Sequence, residues 1–327
     1  ESFTENTIDG NFDHAYSVYA IDIDLDGDVD VLGSARRDDD VTWWENDGSE
    51  SFTENTIDGN FDGAETIYAA DIDGDGDIDI LGASNIDDDI VWWENTATFS
   101  FDPTWTASDI TTSASGAMSV FAADIDGDGD MDIISASKLD DTIAWYENSG
   151  GPFWSASTIT TSADGAFSVF AADMDNDGDM DVLSASDIDD TIAWYENDGA
   201  ANPSWTASNI DTNADGAKSV FAADMDNDGD MDILSASMND DTIAWYESDG
   251  AANPSWTASN IDTNADSARS VFAADIDGDG VLDIISASYS DSTIAWYETS
   301  AIPEFSNIMM PIVSVLAIVG FNYRKRH

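Results

Sequence analysis

From Ser17 onward, apolar residues come in short bursts separated by acidic, glycine-rich gaps, and the bursts recur in one fixed order. The run "SVYAIDIDLDGDVDVLGSA" from 17 returns as "TIYAADIDGDGDIDILGAS" from 66 and "SVFAADIDGDGDMDIISAS" from 119. It returns again as "SVFAADMDNDGDMDVLSAS" from 168, "SVFAADMDNDGDMDILSAS" from 219 and "SVFAADIDGDGVLDIISAS" from 270. Each copy is followed by a run such as "DDTIAWYEN" (140–148), then by one such as "PTWTASDI" (103–110) or "PSWTASNI" (203–210). Every unit therefore predicts four short strands: A of the "SVFAA" type, B "MDIISAS", C "TIAWYE" and D "WTASNI". β-Branched and aromatic residues dominate these runs, while Gly, Asn, Asp and Pro punctuate the gaps. No apolar i, i+3, i+4 pattern persists long enough for a helix before residue 300.

Strands A and C are apolar on both faces, as in Val120, Phe121 and Ala122, then Ile143, Ala144, Trp145 and Tyr146. That suits sheets covered on both sides, as when blades stack radially. A repeat of roughly 50 residues with four strands is the sequence mark of a β-propeller. The expected fold is all-β: a six-bladed β-propeller over 1–300, then a C-terminal segment, 301–327, with a hydrophobic tail helix. The chain opens on a D-type strand, "SFTENTID" (2–9), and the last unit stops after its C strand, "TIAWYE" (293–298). Strand 2–9 is thus expected to complete the last blade and join the ring's ends; seven blades in a longer parent chain is the alternative.

The A–B turns hold the candidate chemistry. Acidic side chains stand at alternate positions 1, 3, 5, 7 and 9, with Gly at position 6. The first turn has Asp22, Asp24, Asp26, Asp28 and Asp30; the second has Asp71, Asp73, Asp75, Asp77 and Asp79. The third has Asp124, Asp126, Asp128, Asp130 and Asp132; the fourth has Asp173, Asp175, Asp177, Asp179 and Asp181. The fifth has Asp224, Asp226, Asp228, Asp230 and Asp232; the sixth has Asp275, Asp277, Asp279, Val281 and Asp283. A hard cation such as Ca²⁺ takes six to eight oxygens at about 2.3–2.6 Å, and a tight turn delivers alternate side chains to one centre. Position 7 is expected to offer only its backbone carbonyl, since Val281 stands there in the sixth turn while the other acids remain. An EF-hand requires a Glu at position 12 and flanking helices. Position 12 here is Gly33, Gly82, Ser135, Ser184, Ser235 or Ser286, and the flanks are strands. Contiguous nonapeptide β-helix repeats fail because these copies are far apart.

Composition narrows the field further. Asp plus Glu number 69 against 8 Lys plus Arg, a net charge of -61. Such a surface repels nucleic acid and anionic lipid and attracts cations. It also resembles the acidic, lysine-poor composition of salt-adapted proteins. With 42% hydrophobic residues, including 12 Trp and 14 Phe, there is ample material for a core, which argues against disorder. Cysteine is absent and histidine is limited to His14 and His327, which removes disulfide, thiolate and most His-based chemistry.

With these residues in view, the chain resembles the FG-GAP/VCBS repeat family, whose propeller repeats are also found in integrin α-subunit heads. The family pattern, D-x-D-x-D-G-x-x-D between two apolar strands, is matched by "VFAADIDGDGDMDIISAS" (120–137) and its five counterparts. The resemblance implies Ca²⁺ in the turn between the first two strands of each blade, about six ions in all, on one face of the ring. Leu25 departs from the usual Gly or Asn at position 4, which puts strain in the first turn.

The aromatic pairs Trp43/Trp44, Trp92/Trp93, Trp145/Tyr146, Trp194/Tyr195, Trp245/Tyr246 and Trp296/Tyr297 are expected between adjacent blades. Trp105, Trp154, Trp205 and Trp256, on D strands nearer the rim, are candidates for sugar stacking. No unique acid stands out from the repeat, so no enzyme is expected. After residue 300 a polar lead, an apolar stretch (308–321) and a basic end (324–327) follow one another. With Pro303, Glu304 and Phe305 upstream, this resembles the PEF-CTERM sorting signal of archaea, which implies processing by an archaeosortase-type transpeptidase and a lipid-anchored product. A retained membrane anchor is the alternative. The expected protein is a calcium-binding, cell-surface propeller for adhesion, recognition or envelope structure. Its expected partner is an extracellular protein or glycan; a lectin-like propeller and a polysaccharide-active enzyme are the other readings.

Overall fold

The computed structural model describes residues 6–97, 102–150 and 153–299, and every regular element among them is a strand. Six antiparallel sheets follow one another, each wound in sequence order. Blade 1 comprises β1 (Ala15–Ile21), β2 (Asp30–Ala35), β3 (Asp40–Asn46) and β4 (Phe52–Asp58). Blade 2 comprises β5 (Ala64–Ala70), β6 (Asp79–Ser84), β7 (Ile90–Asn95) and β8 (Trp105–Thr111). Blade 3 comprises β9 (Ala117–Ala123), β10 (Asp132–Ser137), β11 (Thr142–Asn148) and β12 (Trp154–Thr160). Blade 4 comprises β13 (Ala166–Ala172), β14 (Asp181–Ser186), β15 (Thr191–Asn197) and β16 (Trp205–Asp211). Blade 5 comprises β17 (Ala217–Ala223), β18 (Asp232–Ser237), β19 (Thr242–Ser248) and β20 (Trp256–Asp262). Blade 6 has three described strands, β21 (Ala268–Ala274), β22 (Asp283–Ser288) and β23 (Thr293–Tyr297). The fold is an all-β, six-bladed propeller.

The sequence pattern points to A and C as the two-sided strands, but the most completely buried is B. In β6, β10, β14 and β18 every residue is buried, because B lies in mid-sheet with a blade on either side. The D strands β12, β16 and β20 are largely exposed along their middles, as befits an outer edge. Small residues on B make room for large neighbours: a Cβ added at Gly82 would lie 2.7 Å from the Trp93 ring.

Each aromatic pair on a C strand splits between two interfaces, since successive strand residues face opposite ways. Trp145 enters the core between blades 3 and 4, where it meets Val169, Val182 and Tyr195. Its counterpart Trp194 faces blade 5 instead, beside Tyr246. Trp92 and Tyr146 share the core between blades 2 and 3, and Trp43 and Trp93 that between blades 1 and 2. Further inward, Tyr19, Tyr68, Phe121, Phe170, Phe221 and Phe272 form a chain of rings, one per blade, with neighbouring centroids 4.7–5.4 Å apart.

Five interfaces are filled in this way; the seam between blades 6 and 1 differs. Val18 is 73% exposed, whereas its counterparts Ile67, Val120, Val169, Val220 and Val271 are at most 4% exposed. Ile294 is 76% exposed although Val41, Ile90, Ile143, Ile192 and Ile243 are fully buried, and Trp296 is 43% exposed. Near the axis the two blades do touch: an Arg269 Nη2 donates to the Tyr16 hydroxyl at 2.8 Å. The strand expected at 2–9 is not found as such. Residues 2–5 lie outside the described residues, 6–9 are not in a strand, and β23 has no described D-strand partner. The expected tail helix, at 301–327, lies wholly outside the described residues.

Candidate metal centres

Each A–B hairpin closes on a buried aspartate. The last residue of A pairs with position 9, the first residue of B: Ile21 with Asp30, Ala70 with Asp79, Ala123 with Asp132, Ala172 with Asp181, Ala223 with Asp232 and Ala274 with Asp283. Starting a mid-sheet strand with Asp puts the carboxylate out of water; all six are at most 1% exposed. Both oxygens are used. In blade 4, Asp181 Oδ2 accepts the Met174 N–H at 3.2 Å, and Oδ1 accepts the Asn197 N–H, at the end of β15, at 2.8 Å. Asp132 repeats this with Ile125 and Asn148, and Asp232 with Met225 and Ser248. Position 9 therefore ties the turn to the C strand.

The rest of the turn is a ladder of carboxylates accepting backbone N–H groups. Position 1 accepts from Gly at position 6, as Asp124 does from Gly129 at 3.0 Å. Position 3 accepts from position 5, and position 5 from position 7, as in Asp126 with Asp128 (3.2 Å) and Asp128 with Asp130 (2.9 Å). Position 6 needs glycine for its backbone, with φ near 98° at Gly129. Position 4 is also left-handed, and there Leu25 has φ 60° where the other turns carry Gly or Asn. Leu25 is 48% exposed, so it gains little burial in return. Leu25→Gly is expected to raise stability by about 0.5–1 kcal/mol, read as a higher midpoint in urea unfolding. An unchanged or lower midpoint would mean that this turn carries no strain.

These hydrogen bonds bring the carboxylates together. Three groups join positions 1, 3 and 9: Asp22, Asp24 and Asp30; Asp71, Asp73 and Asp79; Asp124, Asp126 and Asp132. Two join positions 1, 3 and 5: Asp173, Asp175 and Asp177; Asp224, Asp226 and Asp228. A sixth acidic group is also present, and within each group the oxygens lie within 4.8 Å of one another. In the sixth turn, Asp275 Oδ2 accepts from Gly280, Asp277 Oδ1 from Asp279, and Asp279 Oδ1 from Val281. Position 7 enters none of the five named groups. In blade 5 its carboxylate, Asp230, accepts instead from the Asn176 side chain of the neighbouring turn at 2.9 Å.

Two observations show that these residues fit a hard divalent cation. First, Asp22, Asp71 and Asp124 each keep a buried Oδ1 with no hydrogen-bond partner, an arrangement that is costly without a cation. Second, burial pushes the carboxyl of Asp79 and of Asp181 up to about 7, and those of Asp132 and Asp232 up to about 6. Burial likewise raises Asp24 to about 6. With all-oxygen donors, these centres suit a cation such as Ca²⁺ and not a soft metal. When bound, the ion would supply charge compensation; the chain's own carboxylates orient the turn.

A second set of aspartates escapes the sequence reading. In the B–C turns, Asp39, Asp88, Asp141, Asp190 and Asp241 take φ of 57–61° and reach the next blade. Asp88 Oδ1 accepts the Gly116 N–H at 2.7 Å, Asp141 that of Gly165 at 3.0 Å, and Asp190 that of Gly216 at 2.9 Å. They are interblade latches, and the sequence signal was the repeated "DD" before strand C. At the seam, Ser292 replaces the latch and His14 replaces the glycine it would meet.

The D-strand tryptophans expected as sugar platforms are half-buried in interblade clefts. Trp105, Trp154, Trp205 and Trp256 pack against the cores between blades 1 and 2, 2 and 3, 3 and 4, and 4 and 5. Trp154 stands edge-on to Trp92 at 6.0 Å and Trp256 to Trp194 at 6.5 Å, so each gives much of its face to packing.

No curated protein matches the chain. Among solved structures, it is similar to an Agrocybe aegerita lectin that recognises non-reducing terminal N-acetylglucosamine. That likeness has 19% identity and a TM-score of 0.55, covering 85% of this chain and 78% of the lectin. It is also similar to a streptogramin B lyase, at 13% identity and TM-score 0.58, covering 88% and 84%. A protein of unknown function from Desulfotomaculum acetoxidans aligns at 12% identity and TM-score 0.54, covering 82% and 78%. At these identities the likeness is one of fold alone. Five successive spans, 22–82, 71–135, 126–184, 173–235 and 224–286, match the FG-GAP-like repeat, each running from one acidic turn to the B strand of the next blade. With matches spanning 22 to 286 of its 327 residues, the chain belongs to the FG-GAP-like repeat family.

Proposed function

We propose that this protein is a calcium-binding propeller of the cell surface that acts in recognition or adhesion, with one Ca²⁺ in each A–B turn. The observation that carries the calcium reading is the buried, unpartnered Oδ1 at position 1 of three turns, converging with two further carboxylates. The ions serve structure first, because each turn joins A to B and, through position 9, to C. A surface of net charge -61 argues for a calcium-rich, extracellular setting and against nucleic acid as partner. The near-periodic acids are committed to turns and latches, which favours binding over catalysis. The partner is an extracellular protein or glycan, and the C-terminal segment, 301–327, is the means of anchoring. Binding of the labelled protein to envelopes of its source cells tests this reading. Saturable binding in millimolar calcium, lost with chelator and restored by calcium, is expected; equal binding with and without calcium, or none, would overturn it.

A lectin-like reading is favoured by one feature. Trp92 and Trp154 line a cleft of about 340 Å³ between blades 2 and 3, with Asp73, Glu94, Asp130 and Asn148 around them. Trp154→Ala would abolish glycan binding on that reading and leave protein-partner binding intact.

A further inference from the structure

In a repeat of near-copies, two positions carry a different residue in every blade. The second residue of the A strand is Tyr16, Glu65, Met118, Phe167, Lys218 and Arg269 in blades 1 to 6, although alanine precedes it each time. The residue just after the B strand is Arg36, Asn85, Lys138, Asp187, Met238 and Tyr289. Packing between blades does not demand this variety, since the residues that pack, alanine and Val or Ile, hardly change. The A-strand position is also the extra residue of a β-bulge: register slips between Ala15 and Ser17, Ala166 and Ser168, Ala217 and Ser219, and Ala268 and Ser270. A bulge re-aims a side chain. Here it turns Tyr16, Met118, Phe167, Lys218 and Arg269 into one cavity of about 750 Å³ on the propeller axis, where all six blades contribute.

This cavity inverts the charge of the protein. Among the described residues no Asp or Glu lines it, in a chain with 69 of them. Three of the five Lys and Arg among the described residues line it, Arg36, Lys218 and Arg269, and a fourth, Lys138, lies 5.4 Å from the ring of Phe167 in its wall. Two buried acids hold three of these from behind. Arg36 Nε lies 3.1 Å from fully buried Glu65, and Lys138 and Lys218 share Asp187. Arg269 is different. It donates to the Tyr16 hydroxyl and lies over the rings of Tyr16 (5.3 Å) and Phe167 (5.6 Å). Among the described residues no carboxylate comes within ion-pair distance of it. The bulges sit at the first residues of the A strands and the acidic turns follow the last, so cavity and metal centres occupy opposite ends of the axis, roughly 20 Å apart.

We propose that the axial cavity is a receptor for a single carboxylate carried on a hydroxylated ring, the chemistry of a uronate. The Arg269 guanidinium, bonded to the Tyr16 hydroxyl through one N–H and within ion-pair distance of no carboxylate among the described residues, suits a carboxylate, which it can grip through its remaining N–H groups. Serines at the start of five A strands (Ser17, Ser119, Ser168, Ser219 and Ser270) offer hydroxyls around the wall, and Phe167 and Tyr289 offer apolar faces. Glu65 and Asp187 offset two of the other three cations; inorganic phosphate offers no ring to the Phe167 and Tyr289 faces, and a neutral sugar would leave Arg269 without an anion. The proposal rests on the recognition reading and names its ligand class; it does not depend on calcium.

Calorimetric titration of the calcium-loaded chain with sodium D-glucuronate, methyl β-D-glucoside and inorganic phosphate tests it. Glucuronate is expected to bind at least tenfold more tightly than either of the others, and Arg269→Gln to weaken it at least tenfold. That variant loses the bond to Tyr16 and should melt slightly lower, but its melting transition should stay cooperative and rise with calcium as much as the parent's, which separates a lost site from a lost fold. Glucuronate binding no better than the glucoside, or undiminished by Arg269→Gln, would overturn the proposal while leaving the calcium reading intact. A glucuronate-ended oligosaccharide that binds more tightly than the free acid assigns a glycan terminus; equal affinity assigns the small hydroxy-acid.

Discussion

Stripping the protein of calcium with a chelator is expected to lower its melting temperature by roughly 15 °C. If each turn binds with a Kd of about 0.1–1 mM, calcium near 10 mM adds roughly 1.4–2.7 kcal/mol per site. Six sites together contribute on the order of 10 kcal/mol, and a chain of this size shifts by between one and two degrees per kcal/mol, roughly. The effect has a pH signature. In the ion-free protein, burial holds Asp79 and Asp181 near 7, above the value of about 3.9 for an unfolded carboxylate. The folded state therefore binds more protons than the unfolded state across that window. The stability these groups contribute is fully present below about pH 4 and is lost as pH rises through about 7. Calcium requires them ionised, so its stabilising increment should be largest above pH 7 and shrink toward pH 5.5. Scanning calorimetry at pH 8 and 5.5, with calcium and with chelator, checks both statements. A melting point unmoved by chelator at pH 8 would remove the structural role of calcium.

The second large effect is expected at position 9. Asp181→Ala leaves the Met174 and Asn197 N–H groups, both inside the blade, without an acceptor. Each orphaned donor costs about 1–3 kcal/mol, and the turn that gathers the Asp173, Asp175 and Asp177 carboxylates loses its tie to β15. A total of roughly 3–6 kcal/mol is expected in urea unfolding with calcium present. Asp179→Ala, two residues away, should change stability by less than about 0.5 kcal/mol. Position 7 tolerates Val281 in blade 6, and its side chain enters none of the named carboxylate groups. Equal losses in the two variants would show that the turn's net charge matters and its wiring does not.

The strands, their order and the acidic turns could be read from the chain because one pattern is written six times, and a turn with Gly at position 6 and Asp at alternate positions is a local device. What escaped were the contacts between copies. Asp181 bonds to Asn197, sixteen residues on, through a register that only the folded sheet reveals. The latch aspartates at the B–C turns look like ordinary turn residues until Gly116, Gly165 or Gly216 of the next blade arrives beside them. Val18 and Val120 occupy the same place in the repeat, so nothing local to Val18 marks its exposure; Ser292 and His14, which stand where a latch and its glycine would, carried the signal, and the closure expected from strand 2–9 passed over it. The divergent residues at the bulges were in plain view, but periodicity draws the eye to what repeats, and Tyr16, Lys218 and Arg269 are informative because they do not.

Anomalous scattering from crystals grown in millimolar calcium is the most direct test of the central claim. Six calcium ions are expected, one in each A–B turn, with oxygens of positions 1, 3, 5 and 9 around each. Six turns without an ion under those conditions would contradict it.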